Sequence, residues 1–333
     1  MAWEVQSKKG FWLPQAGWWL DAQFAAPRSI VSHAHSDHVA RHRELVCSPA
    51  TARLMRARLP GRRIEHVLPF GQTEALTLDT TVTLHPAGHI LGSSLVELRG
   101  AAGSLLYTGD FKLRPSLAAE ACACPRADLL IMETTFGLPR YVFPPDAEVI
   151  ADLIRFCQET VAAGRVPVLF CYSLGKSQEV LRAVAPAGLP VMLHDQTLRL
   201  TKVYEQCGVS FPPYRAFDAA EVGGHIVICP PPHNGAGLLN RIPARRTAFV
   251  SGWALDRGAT HRFRCDAAFP LSDHADFPDL LRFVEAVRPR LVLTVHGYAR
   301  EFARTLRERG CEAWALGREN QLDLPLDQAR SVH

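Results

Sequence analysis

Short apolar segments that run directly into polar loops dominate the first 135 residues. Residues 29–32, 81–84, 104–107 and 128–132 either alternate in polarity or are continuously apolar, which is typical of short strands. Each segment is followed by a loop that is rich in His, Asp or Gly. The pattern predicts strands whose ends carry polar side chains.

The hydrophobic pattern changes near residue 140. Apolar residues recur at helical spacing over 147–163, and a second helix is expected over 177–184. Strands are expected at 166–171, 190–193 and 226–229. This alternation of strands and helices favours a parallel sheet with helices packed on its faces.

The strand-then-histidine pattern returns after about residue 265. A strand over 291–295 ends at His296, an amphipathic helix is expected over 298–310, and a last strand at 313–315. The simplest organisation is an α/β protein in which a second domain interrupts the first. We expect the first part of the main domain at 1–140, the inserted domain at 141–255 and the C-terminal part of the main domain at 256–333.

The composition is that of an ordinary globular protein. The 333 residues suffice for one large domain or two smaller ones, and 47% of them are apolar and 21% charged. No apolar run is long enough for a membrane span, so no membrane partner is expected. The polar N-terminus lacks the apolar core of a signal peptide, which makes the cytoplasm the expected location.

The nine cysteines are scattered along the chain. In a reducing compartment, they are expected to be small buried apolar side chains. Cys122 and Cys124 form a C-x-C pair, for which a structural zinc is the weaker alternative because no second pair lies nearby in the sequence.

The net charge of +4 neither requires nor excludes a polyanionic partner. Most of the 37 basic residues are arginines. Arginine suits bidentate contacts with phosphate, but biased codon usage produces the same excess. One basic cluster either follows a nucleic-acid strand or is a solvated helix face, and it comprises Arg53, Arg56, Arg58, Arg62 and Arg63.

The strongest chemical signal is the segment 33–38 (His-Ala-His-Ser-Asp-His), which directly follows a predicted strand. Three imidazoles and a carboxylate at the end of a strand can face two neighbouring points in space. Imidazole combined with carboxylate suits zinc or manganese. A solvated histidine-rich loop is the alternative. However, His89 and Asp110 also follow predicted strands, beside glycines that permit tight turns.

These residues match the HxHxDH motif in full, and the chain resembles the metallo-β-lactamase superfamily. The resemblance implies an αββα sandwich with two divalent metal ions, zinc first and manganese as the alternative. The ligands implied for the first ion are His33, His35 and His89, those for the second are Asp37 and His38, and Asp110 bridges both. Two such ions share a water whose pKa falls toward neutrality, so that it can attack. This chemistry makes Asp37 a candidate catalytic residue as well.

Three further segments resemble the β-CASP branch of the superfamily, whose members are nucleic-acid nucleases. Residues 133–137 (Glu-Thr-Thr-Phe-Gly) resemble the acidic motif A of that branch. Residues 272–276 (Ser-Asp-His-Ala-Asp) resemble motif B, and residues 295–297 (Val-His-Gly) resemble motif C. The resemblance implies that the insert at 141–255 is the β-CASP α/β domain.

Each of these motifs has a chemical task in this interpretation. His296 supplies the remaining nitrogen ligand of the second metal. His274 can protonate the departing oxygen as a general acid. Glu133 can orient and charge His274 by accepting a hydrogen bond. The alternative for His274 is a capping or core histidine.

Residues 173–177 invite comparison with a phosphate-binding loop. Phe170 occupies the position of the first glycine of a Walker A motif, which excludes that motif. A helix start after a strand can still hold a backbone phosphate, here with Ser173, Lys176 and Ser177. An ordinary helix start is the alternative.

Within the β-CASP branch, this compact chain resembles most the bacterial DNA-ligase-associated exonucleases of the DNA damage response. The matching stretches are 32–38, 133–137, 251–254 and 296–299. Artemis-type nucleases usually lack the motif C histidine, and large RNA-processing members usually carry additional C-terminal domains. The resemblance therefore implies a DNA exonuclease in repair, with DNA preferred over RNA and a DNA ligase and other repair proteins as possible partners.

Three other functions stay open. An RNA-processing nuclease is the runner-up. A thioesterase or lactonase would share the ligands from His33 to Asp110 but would not need Glu133, His274 and the insert. A non-catalytic binding subunit would usually have lost metal ligands, and every expected ligand is present here.

Overall fold

Three sheets form the framework of the fold. The computed structural model describes residues 3–231, 237–242 and 244–316. The first sheet follows sequence order and comprises β1 (Gln6–Ser7), β2 (Phe11–Leu13), β3 (Trp18–Leu20), β4 (Arg28–Ile30), β5 (Glu44–Cys47) and β6 (Ile64–Val67). β1 to β3 pair antiparallel, whereas β3 to β6 are parallel. The carboxyl ends of β3, β4 and β5 therefore share one edge of this sheet.

The next five strands belong to the second sheet. They are β7 (Thr73–Ala75), β8 (Thr80–Pro86), β9 (Ser94–Gly100), β10 (Gly103–Tyr107) and β11 (Leu129–Glu133). β7 to β10 pair antiparallel, and β11 lies parallel to β10. Every residue of β11 is buried, as expected for a strand in the middle of a sheet that is covered on both faces.

The third sheet is entirely parallel, with the spatial order β14-β13-β15-β12-β16-β17. Its strands are β12 (Val166–Phe170), β13 (Val191–Leu193), β14 (Tyr214–Ala216), β15 (Ile226–Cys229), β16 (Arg245–Val250) and β17 (Ala267–Phe269). Because β17 pairs with β16, this sheet extends past residue 255, where we expected the insert to end. The half-buried, three-residue β17 carries too little pattern to be seen in the sequence.

Two later strands return to the second sheet. β18 (Leu291–Val295) pairs parallel with β11, and β19 (Ala313–Ala315) pairs parallel with β18. The third sheet is thus inserted in the sequence between two neighbouring strands of the second sheet. Of the expected C-terminal part at 256–333, residues 317–333 lie outside the described residues.

Helices cover the outer faces of the sheets. The helices of the described residues are α1 (Pro49–Arg58), α2 (Asp146–Ala162), α3 (Lys176–Ala183), α4 (Asp195–Gln206), α5 (Gly237–Asn240), α6 (Ala259–Phe263), α7 (Phe277–Val287) and α8 (Ala299–Glu308). α7 begins where the Asp276 carboxylate accepts the Asp279 N–H at 3.0 Å, an N-cap worth about 1 kcal/mol. None of the helices in the described part of the chain has the length and apolar character needed to cross a bilayer.

The hydrophobic clusters define the layers. The first and second sheets pack face to face through residues such as Leu20, Ile30, Leu105 and Ile131. The opposite face of the second sheet packs against α7 and α8, and that of the first sheet against α1. The third sheet buries one face against α2 and α3 and the other against α6. The architecture is a mixed α/β fold, as the sequence predicted.

Candidate metal centre

The ends of several strands bring five predicted ligands together. His33, His35 and His38 follow β4, while His89 follows β8 and Asp110 follows β10. The two stacked sheets place these strand ends at one edge. Because the residues that end these strands are mostly buried and hydrogen-bonded within the sheets, the sheets define where the following side chains lie.

Three imidazoles and one carboxylate form the first group. His35 Nδ1 lies 3.1 Å from His33 Nε2 and 3.0 Å from His89 Nε2. Asp110 Oδ2 lies 3.5 Å from His33 Nε2 and 3.8 Å from His89 Nε2. All four ligand atoms lie within 4.8 Å of one another. This nitrogen-rich donor set fits a divalent metal such as zinc.

The protonation states of these histidines also suit a metal. Burial lowers the pKa of His33 and of His89 below the usual range. Burial likewise lowers the pKa of His35 to about 4. All three rings are therefore neutral near pH 7, and a neutral imidazole has a lone pair for a metal ion.

The second nitrogen of each ring is anchored outside the group. His33 Nδ1 lies 2.9 Å from Ser32 Oγ. His35 Nε2 lies 3.1 Å from the carbonyl oxygen of Leu174, and His89 Nδ1 lies 2.8 Å from the carbonyl oxygen of Asp273. These acceptors fix the tautomers, because the anchored nitrogen donates and the other keeps its lone pair.

His38 and Asp110 begin a second group. His38 Nε2 lies 3.4 Å from Asp110 Oδ2, so the same carboxylate oxygen faces both groups. Burial lowers the pKa of His38, but Asp110 and Asp21 outweigh it and raise that pKa well above the usual range. In the metal-free chain His38 therefore carries a proton, which a metal would displace.

The other two predicted ligands lie at the periphery. Asp37 Oδ2 is 3.7 Å from His38 Nε2, and its side chain is 69% exposed. The exposed His296 has its ring centre 5.9 Å from that of His38. Its backbone is in the left-handed region at φ 57°, and its carbonyl accepts a hydrogen bond of 2.6 Å from Thr134 Oγ1. The structure thus brings these two residues to the rim but not into the convergent groups.

Asp21 is a residue of the site that sequence reasoning missed. It directly follows β3, and its Oδ2 lies 2.7 Å from His38 Nδ1. The same carboxylate accepts the N–H of Ser32 at 2.7 Å and the hydroxyl of Tyr107 at 2.8 Å. With several donors holding it, Asp21 orients the His38 ring. The available signal was an aspartate directly after the apolar segment 18–20, the pattern that singled out Asp110.

Glu133 and His274 form a hydrogen-bonded pair beside the first group. Glu133 Oε1 lies 2.8 Å from His274 Nδ1, and the His274 ring centre is 4.6 Å from that of His89. Glu133 also accepts the backbone N–H groups of Phe111 and Thr135 at 3.0 and 3.2 Å. Burial lowers the pKa of His274, but Glu133 outweighs it and raises that pKa to about 10. The ring therefore carries a proton that it can donate.

A cavity of about 1390 Å³ opens above these groups. The metal-site residues form one wall. The other walls include Phe170, Phe249 and Ser251 at the carboxyl ends of third-sheet strands. Half-exposed Tyr172 and basic Arg262 lie at its borders. The cavity is large enough for part of a polymer, and its walls combine apolar surface with three arginines and with the carboxylates of Asp37, Asp110 and Asp273 near the metal-site histidines.

The predicted phosphate contacts of Lys176 and Ser177 do not agree with the structure. Both side chains are fully buried. Lys176 Nζ lies 2.6 Å from a Glu179 carboxylate oxygen, and Ser177 Oγ donates to the carbonyl of Tyr172 at 2.8 Å. Both polar groups are therefore occupied inside the protein. Ser173 is half-buried and lines the cavity, where its hydroxyl donates to Gln196 Oε1 at 3.2 Å, so it stays a candidate contact.

The predicted basic cluster is largely bonded to its surroundings. Arg56 and Arg63 both pair with Glu65, and Arg53 donates to the carbonyl of Gln206. Arg58 donates to the carbonyl of Ala34 and borders the cavity. Of this cluster, Arg58 is therefore the residue that the structure brings to the site.

The cysteines are not part of this centre. All nine are free thiols. Cys122 and Cys124 lie in contact, half-buried. Within the described residues, no group of potential metal ligands includes a cysteine.

Comparisons with known proteins agree with this site. Residues 261–316 match the family described as Zn-dependent metallo-hydrolase RNA specificity domain. The chain is 64% identical, over 97% of its length, to a protein of Opitutus terrae named probable DNA ligase, of which it covers 32%. It is 30% identical, over 80% of its length, to the 5' exonuclease Apollo of Gallus gallus, of which it covers 58%. The chain thus spans between about a third and three fifths of these relatives.

A solved structure of a protein of unknown function from Enterococcus faecalis V583 has a similar fold. It superimposes with a TM-score of 0.58 at 13% identity, over 88% of this chain and 80% of that one. Together with the donor groups and the Glu133–His274 pair, these matches identify the class. The chain belongs to the β-CASP branch of the metallo-β-lactamase superfamily.

Proposed function

We propose that this chain is a metal-dependent nuclease that hydrolyses phosphodiester bonds, and that it acts as a DNA exonuclease in repair. The observation that carries the proposal is the position of a charged histidine, His274, beside a buried group of neutral histidines at the floor of a large cavity. A hydrolase needs both an activated water and an acid for the leaving group. The two kinds of histidine suit these two tasks.

Two divalent ions fit the donor groups in this proposal. His33, His35 and His89 would hold the first, and Asp110 would contact both. His38 would hold the second, with Asp37 and His296 completing its donor set. Zinc suits these ligands, and manganese is the alternative. When bound, the ions would supply Lewis acidity for the phosphate and a water of lowered pKa.

The protein's own groups handle the leaving oxygen. His274 faces the cavity with one ring nitrogen held by Glu133, so its other nitrogen can give a proton to that oxygen. Glu133 keeps the ring protonated and fixes its orientation. Phe111 and Thr135 hold Glu133 in turn, so the acid is positioned before substrate arrives.

The fold is assigned on the same basis. The first two sheets with α1, α7 and α8 correspond to the αββα sandwich. The third sheet with its helices corresponds to the β-CASP insert, which we place at 141–269 in view of β17. The main domain then comprises residues 1–140 and the part of the chain that follows residue 269.

DNA is the proposed substrate because the names of two relatives concern DNA or a 5' exonuclease. The relative named probable DNA ligase also motivates a ligase and other repair proteins as partners, with the cytoplasm as location. An RNA-processing nuclease is the second candidate, since the matching family description names RNA specificity. A small (thio)ester hydrolase would have no use for the Glu133–His274 pair or the large cavity.

One experiment separates these activities. End-labelled single-stranded DNA and RNA of the same sequence, and a thioester, are incubated with the protein and Zn²⁺ or Mn²⁺. We expect DNA to be shortened stepwise from one end, faster than RNA, with no thioester cleavage. Faster RNA cleavage would replace the DNA assignment by the second candidate. Thioester cleavage without nucleic-acid cleavage would overturn the nuclease proposal.

A further inference from the structure

A second cavity, of about 750 Å³, opens at the amino edge of the third sheet. Arg165 lies just before β12 and Arg245 begins β16, so both project from the edge where these strands start. His261 and Arg264, from α6 and its end, complete the basic wall. We call this cavity the arginine pocket.

Positive charge exceeds negative charge in the arginine pocket. Its one lining carboxylate, Asp266, is held by the N–H and hydroxyl of Thr247 at 2.7 and 2.9 Å. Arg245 donates to the carbonyls of Leu239 and Ile242 at 2.9 and 2.7 Å. Within the described ranges, no carboxylate lies within 4.0 Å of the guanidinium groups of Arg165 and Arg264. Burial raises the pKa of Asp266, but Thr247 and, from a distance, Arg165 help to lower it. Neither arginine has a carboxylate in direct contact, so both can contact an anion.

The arginine pocket adjoins the cavity of the metal centre. Leu239 and Arg264 line both cavities. Between the two edges of the third sheet lies one strand length, which for the six residues of β16 is roughly 17 Å. The two cavities thus meet at Leu239 and Arg264 on one face of the third sheet, and we call the joined space the groove.

The floor of this groove is aromatic. Phe263 and Trp253 are half-buried and lie on the same face, whereas Phe249 is buried and supports Phe263 by stacking, with ring centres 3.7 Å apart. All three line the cavity of the metal centre. Aromatic side chains along a positively charged groove suit single-stranded nucleic acid, because bases stack on rings while arginines contact phosphates.

We propose that the arginine pocket binds the phosphate backbone of a single-stranded nucleic acid whose reacting end lies at the metal centre. This inference rests on the proposed nuclease function. It assigns Arg165 and Arg264 as phosphate contacts several nucleotides away from the bond that is cut. A free phosphate or pyrophosphate has the same charge chemistry but makes no use of the aromatic groove.

The test measures binding of a fluorescein-labelled fifteen-nucleotide DNA by anisotropy, with EDTA present so that cleavage is absent. The variant Arg165→Ala/Arg264→Ala removes both contacts, and Arg165→Lys/Arg264→Lys keeps both charges. Each lost contact should lower the slope of log K against log salt by about 0.7, so the alanine pair should lower it by about 1.4. The lysine pair should keep most of the wild-type slope. Circular dichroism checks that each variant is folded.

A matched control is Arg304→Ala. Arg304 is on α8, is 70% exposed and pairs with Glu308 at 3.9 Å, far in sequence from the groove. Cleavage gives a second readout when metal is added. The alanine pair should raise KM for the fifteen-nucleotide strand about tenfold or more relative to KM for a dinucleotide, since only the longer strand extends to the pocket.

Three outcomes would overturn the inference. The salt slope of the alanine pair could equal that of the wild type, or Arg304→Ala could lower it equally. The third outcome is that the alanine pair loses binding of inorganic pyrophosphate but binds DNA as the wild type does. The arginine pocket would then be a site for small anions. Failure of the nuclease proposal is distinct: the wild type would then bind the strand and cut neither substrate.

Discussion

The loop after β4 and the loop after β12 both place polar residues at the end of a strand, but they direct them differently: the histidines of the first loop face one another, whereas Lys176 and Ser177 of the second are bonded inside the protein. After β4, His33 has one ring nitrogen anchored and the other facing its neighbours. After β12, the ammonium group of Lys176 turns to Glu179 inside the protein. An imidazole can be anchored at one end and available at the other. The lysine has one polar group, and the fold occupies it.

The largest effect is expected where one side chain serves both metal groups. Asp110→Ala should lower bound metal from about two equivalents per chain and reduce cleavage to background, because the Asp110 carboxylate faces both donor groups. Elemental analysis of reloaded protein measures the first effect and oligonucleotide cleavage the second. His66→Ala, on an exposed histidine of β6, is the control and should keep metal and activity. Full activity at one equivalent would remove the two-metal proposal.

His274→Ala should lower cleavage by about 10²–10⁴-fold, the usual contribution of general acid assistance. Both metals should remain, since His274 is assigned to the leaving group. The loss should shrink for a nitrophenyl ester, whose leaving group needs no proton. Glu133→Gln should show a milder form of the same behaviour. Loss of a metal, or an equal loss on both substrates, would make His274 a ligand or a structural residue.

Asp21→Asn should weaken metal binding by about 10–100-fold, as typically happens when the group that orients a metal ligand is replaced. The amide no longer accepts equally well from His38, Ser32 and Tyr107, so the His38 ring loses its fixed orientation. Competition with a chelator measures the metal affinity. Of the two metal-binding steps, only the one assigned to the His38 site should weaken. Asp152→Asn, on an exposed aspartate of α2, is the control. Equal weakening of both steps would mean that Asp21 holds the strand ends of both metal groups in place and does not act through His38 alone.

Of the substitutions considered, Glu179→Gln should have the smallest effect on cleavage. It should, however, clearly lower the free energy of unfolding. It removes the carboxylate that the buried Lys112 and Lys176 share and leaves them with Asp146 at 3.0 Å and Asp273 at 3.8 Å, respectively. Breaking a buried ion pair typically costs about 3–5 kcal/mol of unfolding free energy. Although burial opposes it, Lys176 and Lys112 lower the pKa of Glu179 from 4.5 to about 2. This stabilisation is therefore complete above about pH 4.5 and is lost as the pH falls toward 2.

Urea unfolding of wild type and Glu179→Gln at several pH values measures this difference, which should be largest near neutrality and shrink in acid. Glu308→Gln, on the exposed end of α8, serves as the control. Cleavage per folded molecule should change at most a few-fold. A large fall in cleavage with unchanged stability would give Glu179 a role in the site itself.

The sequence predicted the strands and helices that carry strong patterns, including β18 and α2, within one or two residues. The HxHxDH motif and the resemblance to the metallo-β-lactamase superfamily predicted five residues that the structure brings together, namely His33, His35, His38, His89 and Asp110. The sequence did not reveal β17, whose pairing depends on tertiary contact. Lys176 was wrongly predicted to contact phosphate because its side chain points inward to Glu179. The spacing of residues in the sequence does not specify the direction of a side chain. Asp21 was missed because its loop, residues 21–27, contains no histidine or second carboxylate that would mark it as part of a metal site.

Two anchors of the first metal group are main-chain carbonyls, those of Leu174 and Asp273. Every amino acid has a carbonyl, so the acceptor atoms themselves do not depend on side-chain identity, although the side chains of Leu174 and Asp273 are buried and help to hold the backbone in place. Saturation mutagenesis should find these positions more tolerant of replacement than of insertion or deletion, which would displace the carbonyls. The orientation of His35 and His89 is thus determined by the length and backbone path of two loops that are distant from them in the sequence.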